Sequence, residues 1–104
     1  MVEYSNQNYN VIFACDLNDE RIQFETESKG CLFGTVIEIE GKSRYQVNFY
    51  NSTRFKQDVD EELKNDSLFY EENIVIVEEF TRENLLNAIS CIVNNKLYEK
   101  MVPH

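Results

Sequence analysis

Histidine is all but missing from this chain: the only one is His104, the last residue. A Ser–His or Cys–His pair would have to recruit a fraying chain end, and no HExxH, CxxC or paired Cys/His spacing offers a transition-metal site. Glycine is nearly as scarce, limited to Gly30, Gly34 and Gly41, which excludes a glycine-rich phosphate loop. With a single proline, Pro103, and no Gly/Ser-rich stretch, there is no linker composition. The longest apolar runs, such as IVIV at 74–77, fall far short of the ~20 residues a membrane helix needs. The opening MVEYSNQNYN lacks the basic-then-apolar pattern of a signal peptide. Cysteine is present only as Cys15, Cys31 and Cys91, an odd number set among apolar neighbours. The expectation is three reduced, buried thiols in a cytoplasmic protein. Basic residues are few as well: ten against nineteen acids, a net charge of −9. That charge argues against binding nucleic-acid phosphates or an anionic membrane, and it suits a basic partner.

At 104 residues, 42% hydrophobic and 28% charged, the chain is long enough for one self-folding domain, 1–104. Residues 9–17, YNVIFACDL, form an apolar run read as a strand covered on both faces. Asn18-Asp19-Glu20 reads as a turn, and residues 21–27 alternate with Ile22, Phe24 and Thr26 on one face, predicting a second strand. Gly30 supplies the next turn. A third strand, Cys31 to Glu40, puts Phe33, Thr35, Ile37 and Ile39 on the core face; a fourth, Arg44 to Tyr50, does the same with Tyr45, Val47 and Phe49. A three-residue loop, Gly41 to Ser43, matches Ile39 with Tyr45 and Ile37 with Val47. It also sets Glu40 opposite Arg44, a pair worth ~0.2–1 kcal/mol.

Asn51 or Ser52 caps a helix in which Phe55, Val59 and Leu63 recur at four-residue spacing, with acids on its sides and back. The loop at 66–73 carries Leu68, Phe69 and Tyr70, too apolar to be simply solvated. IVIVE at 74–78 is a buried strand. Thr81 caps a second helix to about Asn94, with Leu85, Ile89 and Ile92 in its core stripe. The tail, LYEKMVPH, reads equally as a short strand or a docked segment. The order ββββαβα predicts an α+β domain: a four-strand antiparallel meander, a fifth strand, and two helices packed on one face. The expected core is Phe13, Phe24, Phe33, Ile37, Val47, Phe49, Phe55, Val59, Ile76, Leu85, Ile89 and Ile92.

The acids are unevenly distributed. Asp58 to Glu79 holds nine acids and one base, Lys64, for a net of −8, and the other 82 residues sum to −1. DVDEE at 58–62 lacks the glycine and spacing of a calcium loop and falls on a helix. Glu38 and Glu40 share a strand face, where solvated side chains beside Arg44 explain them without a catalytic carboxylate pair. The acidic run itself has two readings, a solvated helix face with loop acids or a surface shaped for a basic partner. Aromatic neighbours favour the second, since tyrosine is a common interface anchor. The residues assigned to that surface are Asp58, Asp60, Glu61, Glu62, Asp66, Tyr70, Glu71 and Glu72.

The stretch VDEELKNDSLFYEE at 59–72, in a small acidic α+β chain, resembles the immunity proteins that bacteria make against toxins of the contact-dependent inhibition type. The resemblance is one of class. It implies a cytoplasmic, non-enzymatic inhibitor without metal or cofactor, whose acidic surface covers the active site of a basic, nuclease-type toxin. Two alternatives stay open: a nucleic-acid mimic or adaptor that binds a host basic protein, and a small ligand-binding or enzyme domain.

Overall fold

The fold is that of a computed structural model, which describes residues 2–6 and 8–103; His104 lies outside them. Among these residues the chain is α+β. It comprises β1 (Val2–Ser5), β2 (Tyr9–Phe13), α1 (Glu20–Lys29), β3 (Cys31–Ile39), β4 (Arg44–Tyr50), α2 (Ser52–Asp66), β5 (Ile74–Ile76), α3 (Arg82–Asn94) and a 3-10 turn at Leu97–Lys100. The strands form one sheet in the order β1-β2-β3-β4-β5. The first four are an antiparallel meander, and β5 joins β4 in parallel. Parallel pairing follows from the helical crossover through α2.

Residues 21–27 are not a strand but the middle of α1. Asp19 caps the helix by accepting from the Arg21 and Ile22 amides, and Gly30, at φ 73°, closes it by donating its N–H to the Thr26 carbonyl. The alternation over 21–27 puts only three residues, Ile22, Phe24 and Thr26, on its less polar face, whereas an Asp cap, a first-turn Glu and a glycine ten residues after it are a complete set of helix ends. Phe24 is consequently 71% exposed. The fourth meander strand is instead supplied by β1, whose Tyr4 pairs with Val11; its half-polar sequence had concealed it.

The β3–β4 register differs from the expected one by two residues. Ile37 pairs with Tyr45 and Glu38 with Arg44. A two-residue slide keeps every side chain on its face, so the core was unaffected. The Lys42 N–H donates to the Ile39 carbonyl at 2.9 Å, so the loop is a turn begun one residue earlier than expected. Arg44 accordingly pairs with Glu38, at 3.1 Å, and not with Glu40.

Further along, β3 carries one extra residue: Thr35 faces Val47, but Leu32 faces Phe49. This is a β-bulge at Phe33-Gly34, with Gly34 at φ 79°. It reverses the alternation. Leu32 turns into the core, and Phe33, expected there, is 45% exposed on the opposite face from Val47. Thr35 is fully buried, and its hydroxyl finds no hydrogen-bond partner among the described residues.

The core lies on the Val47 face. Phe13, Ile37, Val47, Phe49, Phe80, Leu85 and Ile89 are wholly buried there, closed by the amphipathic face of α3 and by Tyr98 against Tyr45. The tail docks through that 3-10 turn and through Asn73, whose side chain bonds both backbone groups of Val102. The two expected helices do not share a face. Phe55 of α2 meets the ring of Tyr50 at 5.5 Å, and Tyr50 points away from Phe49. Thus α2 covers the other side, because the β4–α2–β5 crossover fixes one side and α3 closes the remaining one. Phe55 and Val59 are only half-buried, Ile76 is 45% exposed, and Cys91 is exposed on α3. The three thiols are unbonded.

Ile89→Ala removes a fully buried side chain from the α3 stripe and is expected to cost about 2–5 kcal/mol in urea unfolding. Phe24→Ser, on the solvent side of α1, is expected to stay within about 0.5 kcal/mol.

Candidate functional site

The bulge and α2 together build a cleft on the face away from the core. Asn51 caps α2 by accepting the Arg54 amide at 2.8 Å. Its own N–H donates to the Gly30 carbonyl at 2.8 Å. A side chain at Gly30 would meet the Asn51 amide at 2.7 Å, so the end of α1 and the start of α2 touch. Arg54 then reaches two ways, donating to the Lys29 carbonyl at 2.9 Å and to Asp58 at 2.8 Å. Ser67, at φ 65°, ends the helix. The returning loop places Phe69 edge-on to Phe55, with centroids 5.6 Å apart.

The same loop turns Glu71 inward. One carboxylate oxygen accepts from the Asn48 amide at 2.6 Å and the other from the Tyr50 hydroxyl at 2.5 Å. The Asn48 carbonyl oxygen, in turn, accepts the Gly34 N–H at 3.1 Å. A chain of hydrogen bonds therefore runs from loop to β4 to the bulge. The Tyr50 hydroxyl is pushed well above the usual phenol range, first by burial, then by its bond to Glu71 and the nearby carboxylates; it stays a donor.

The resulting cleft, about 290 Å³, has Phe33, Tyr50 and Phe69 as its aromatic lining and Asp58, Glu61, Glu62 and Glu71 as its acids. Four of the eight residues assigned from the sequence thus converge. The others do not. Asp60 lies elsewhere on α2, near Lys56 at 3.7 Å. Asp66, the last residue of α2, bonds to Glu62 but does not line the cleft. Tyr70 is 74% exposed, its hydroxyl reaching Glu72 at 3.4 Å. Glu72 lines a separate polar cleft with Gln46, Asn48 and Asn73. Phe33 and Tyr50 were missed. The signal for Phe33 was a glycine inside a strand pattern, which marks a bulge.

Crowding raises the Glu62 carboxyl above its ordinary 4.5, by desolvation first, then through its bond to Asp66 and the charges of Asp66, Glu61 and Asp58. Among the described residues, no group of three or more potential ligands could hold a metal ion, and no helix is long and apolar enough to cross a membrane. Comparison with protein-family models, curated proteins and solved structures finds no match to this chain.

Two measurements test this geometry. Glu71→Ala strips the buried Tyr50 hydroxyl and the half-buried Asn48 amide of their acceptor and is expected to cost about 1–3 kcal/mol in urea unfolding, while Glu72→Ala is expected to stay within about 0.5 kcal/mol. Carboxyl NMR titration should find Glu62 above 4.5, falling back in Asp66→Asn. A carboxyl raised on folding binds its proton more tightly in the native state. Its contribution is therefore most favourable below the unfolded pKa and declines as pH rises through the folded one.

Proposed function

We propose that this protein is an inhibitor that binds a basic protein through its α2 face, and that the partner is a nuclease-type toxin whose active site it covers. The observation that carries this reading is the placement of charge. A net of −8 falls between Asp58 and Glu79, and the fold gathers four of those acids around one open cleft with an aromatic lining. Acids held this close repel one another, and solubility does not require such crowding. A nuclease cleft, built to hold phosphates, presents the complementary field. Occlusion needs no catalytic group on the inhibitor, and opposite charges would steer the encounter. The protein is read as cytoplasmic, where an immunity protein meets an incoming toxin.

Capture of partners at low salt, elution with salt, and assay of the eluted protein for DNA or RNA cleavage test this. The expected result is a basic nuclease whose cleavage is blocked by stoichiometric inhibitor. Its association should slow as the Debye length shrinks from ~10 Å at 0.1 M salt to ~3 Å at 1 M. Asp60→Lys/Glu61→Lys should raise the dissociation rate, costing ~2–5 kcal/mol where the pair is buried. Glu83→Lys/Glu99→Lys, on the α3 side, should not. Glu71 is left intact because it holds the fold. A basic partner without nuclease activity would replace the toxin with a host protein. The absence of any basic partner at any salt would leave the acids a solvated face.

A further inference from the structure

The Phe33 ring lines two cavities at once. On one side is the acidic cleft. On the other, a groove of about 510 Å³ runs beside α1, lined mostly by apolar side chains such as Cys15, Ile22, Cys31 and Leu32, with Glu25 and Lys29 also on its wall. The bulge holds Phe33 between them, out of the core that strict alternation would have given it, and leaves it 45% exposed. Tyr50 meets it edge-on at 5.3 Å, fixing the ring from behind. Of the acids in the cleft, Asp58 already has Arg54 and Glu71 is engaged by Asn48 and Tyr50. Glu61 and Glu62 stand exposed, with no cation within ion-pair distance among the described residues.

We infer that this composite surface is a docking site for a partner segment carrying an arginine beside a large apolar residue. The guanidinium enters the cleft against Phe33 and Phe69 to meet Glu61 and Glu62, and the apolar side chain lies in the groove on the far side of Phe33. This rests on the proposal that the α2 face binds a basic partner, and it names what that face recognises. Arginine fits better than lysine. Its planar, weakly hydrated cation stacks on aromatic rings while its forked donors reach two carboxylates, whereas an ammonium is a compact, strongly hydrated point charge. The groove supplies what an acid cluster alone lacks, an adjoining, mostly apolar concavity whose Glu25 and Lys29 offset one another in charge and whose shape discriminates among basic segments.

The test is an amide and methyl NMR titration of the full chain with acetyl-Leu-Arg-Leu-amide. Shifts should concentrate at Gly34, Tyr50, Glu61 and Phe69 on one side of Phe33 and at Ile22 and Cys31 on the other. Replacing arginine by citrulline, or both leucines by alanine, should weaken binding about tenfold each, as should Phe33→Ser in the protein. Phe24→Ser, at an exposed phenylalanine that lines neither cavity, should change nothing. The substitution Phe33→Leu keeps apolar bulk without the aromatic face and guards against a folding defect in Phe33→Ser; it should also lose affinity for the arginine peptide. Shifts spread along the acids of 58–79 with no dependence on Phe33, or equal binding of the citrulline peptide, overturn the inference. The two proposals fail separately. If the peptide docks as stated but no basic protein is captured, the inhibitor reading falls and the site stands. If the α2 reversals release a captured nuclease but Phe33→Ser neither releases it nor weakens the peptide, the site falls and the inhibitor reading stands.

Discussion

The Glu71–Asn48–Gly34 hydrogen-bond chain is the contact on which the far face of this sheet depends. Gly34 takes a positive φ that other residues adopt only under strain, and its amide, displaced from the regular ladder by the bulge, is satisfied by the Asn48 side chain. Asn48 is oriented because its amide nitrogen is held by Glu71, and Glu71 is held in place by Tyr50 as well. Each polar group has its partner, so a half-buried carboxylate is tolerated next to aromatic rings. The bulge then does two things with one inserted residue. It brings Leu32 under the core and lifts Phe33 out to the other side.

The two sides of the sheet divide the labour of stability and display. On the Val47 side, α3, Phe80 and Tyr98 close a dry core with many residues at zero exposure. On the other side, every residue of α2 keeps some exposure, and the helix is tied down at its start by Arg54, Asn51 and the end of α1. Its later turns, from Asp58 on, stand over the sheet with little beneath them but an aromatic patch. A helix attached at one end and along one narrow stripe contributes modestly to the core and leaves its flanks available. That is a suitable place to concentrate acids that would be costly inside; the Glu62 carboxyl is raised there by desolvation first, then by its bond to Asp66 and the neighbouring charges.

The sequence by itself determined the class of fold, the three meander strands β2, β3 and β4, the helices at 52–66 and 82–94 and the core stripe of α3, because these follow from local periodicity and capping that no distant contact overrides. It also located the excess charge. It did not determine α1, where the alternation over 21–27 competes with the end signals of Asp19 and Gly30, nor β1, whose half-polar strand is stabilised only by its neighbour. Which acids converge was decided by tertiary structure. Asp58, Glu61 and Glu62 meet Glu71 because the crossover carries α2 to the face opposite α3 and the loop returns across it. Asp60, two residues from Asp58, is turned aside by the helical period. Phe33 was decided the same way: a pairing period of two makes one inserted residue reverse the face of everything beyond it. A lone glycine announces that such an insertion is available, but only the hydrogen bonds from Asn48 and Glu71 across the sheet determine that it is made.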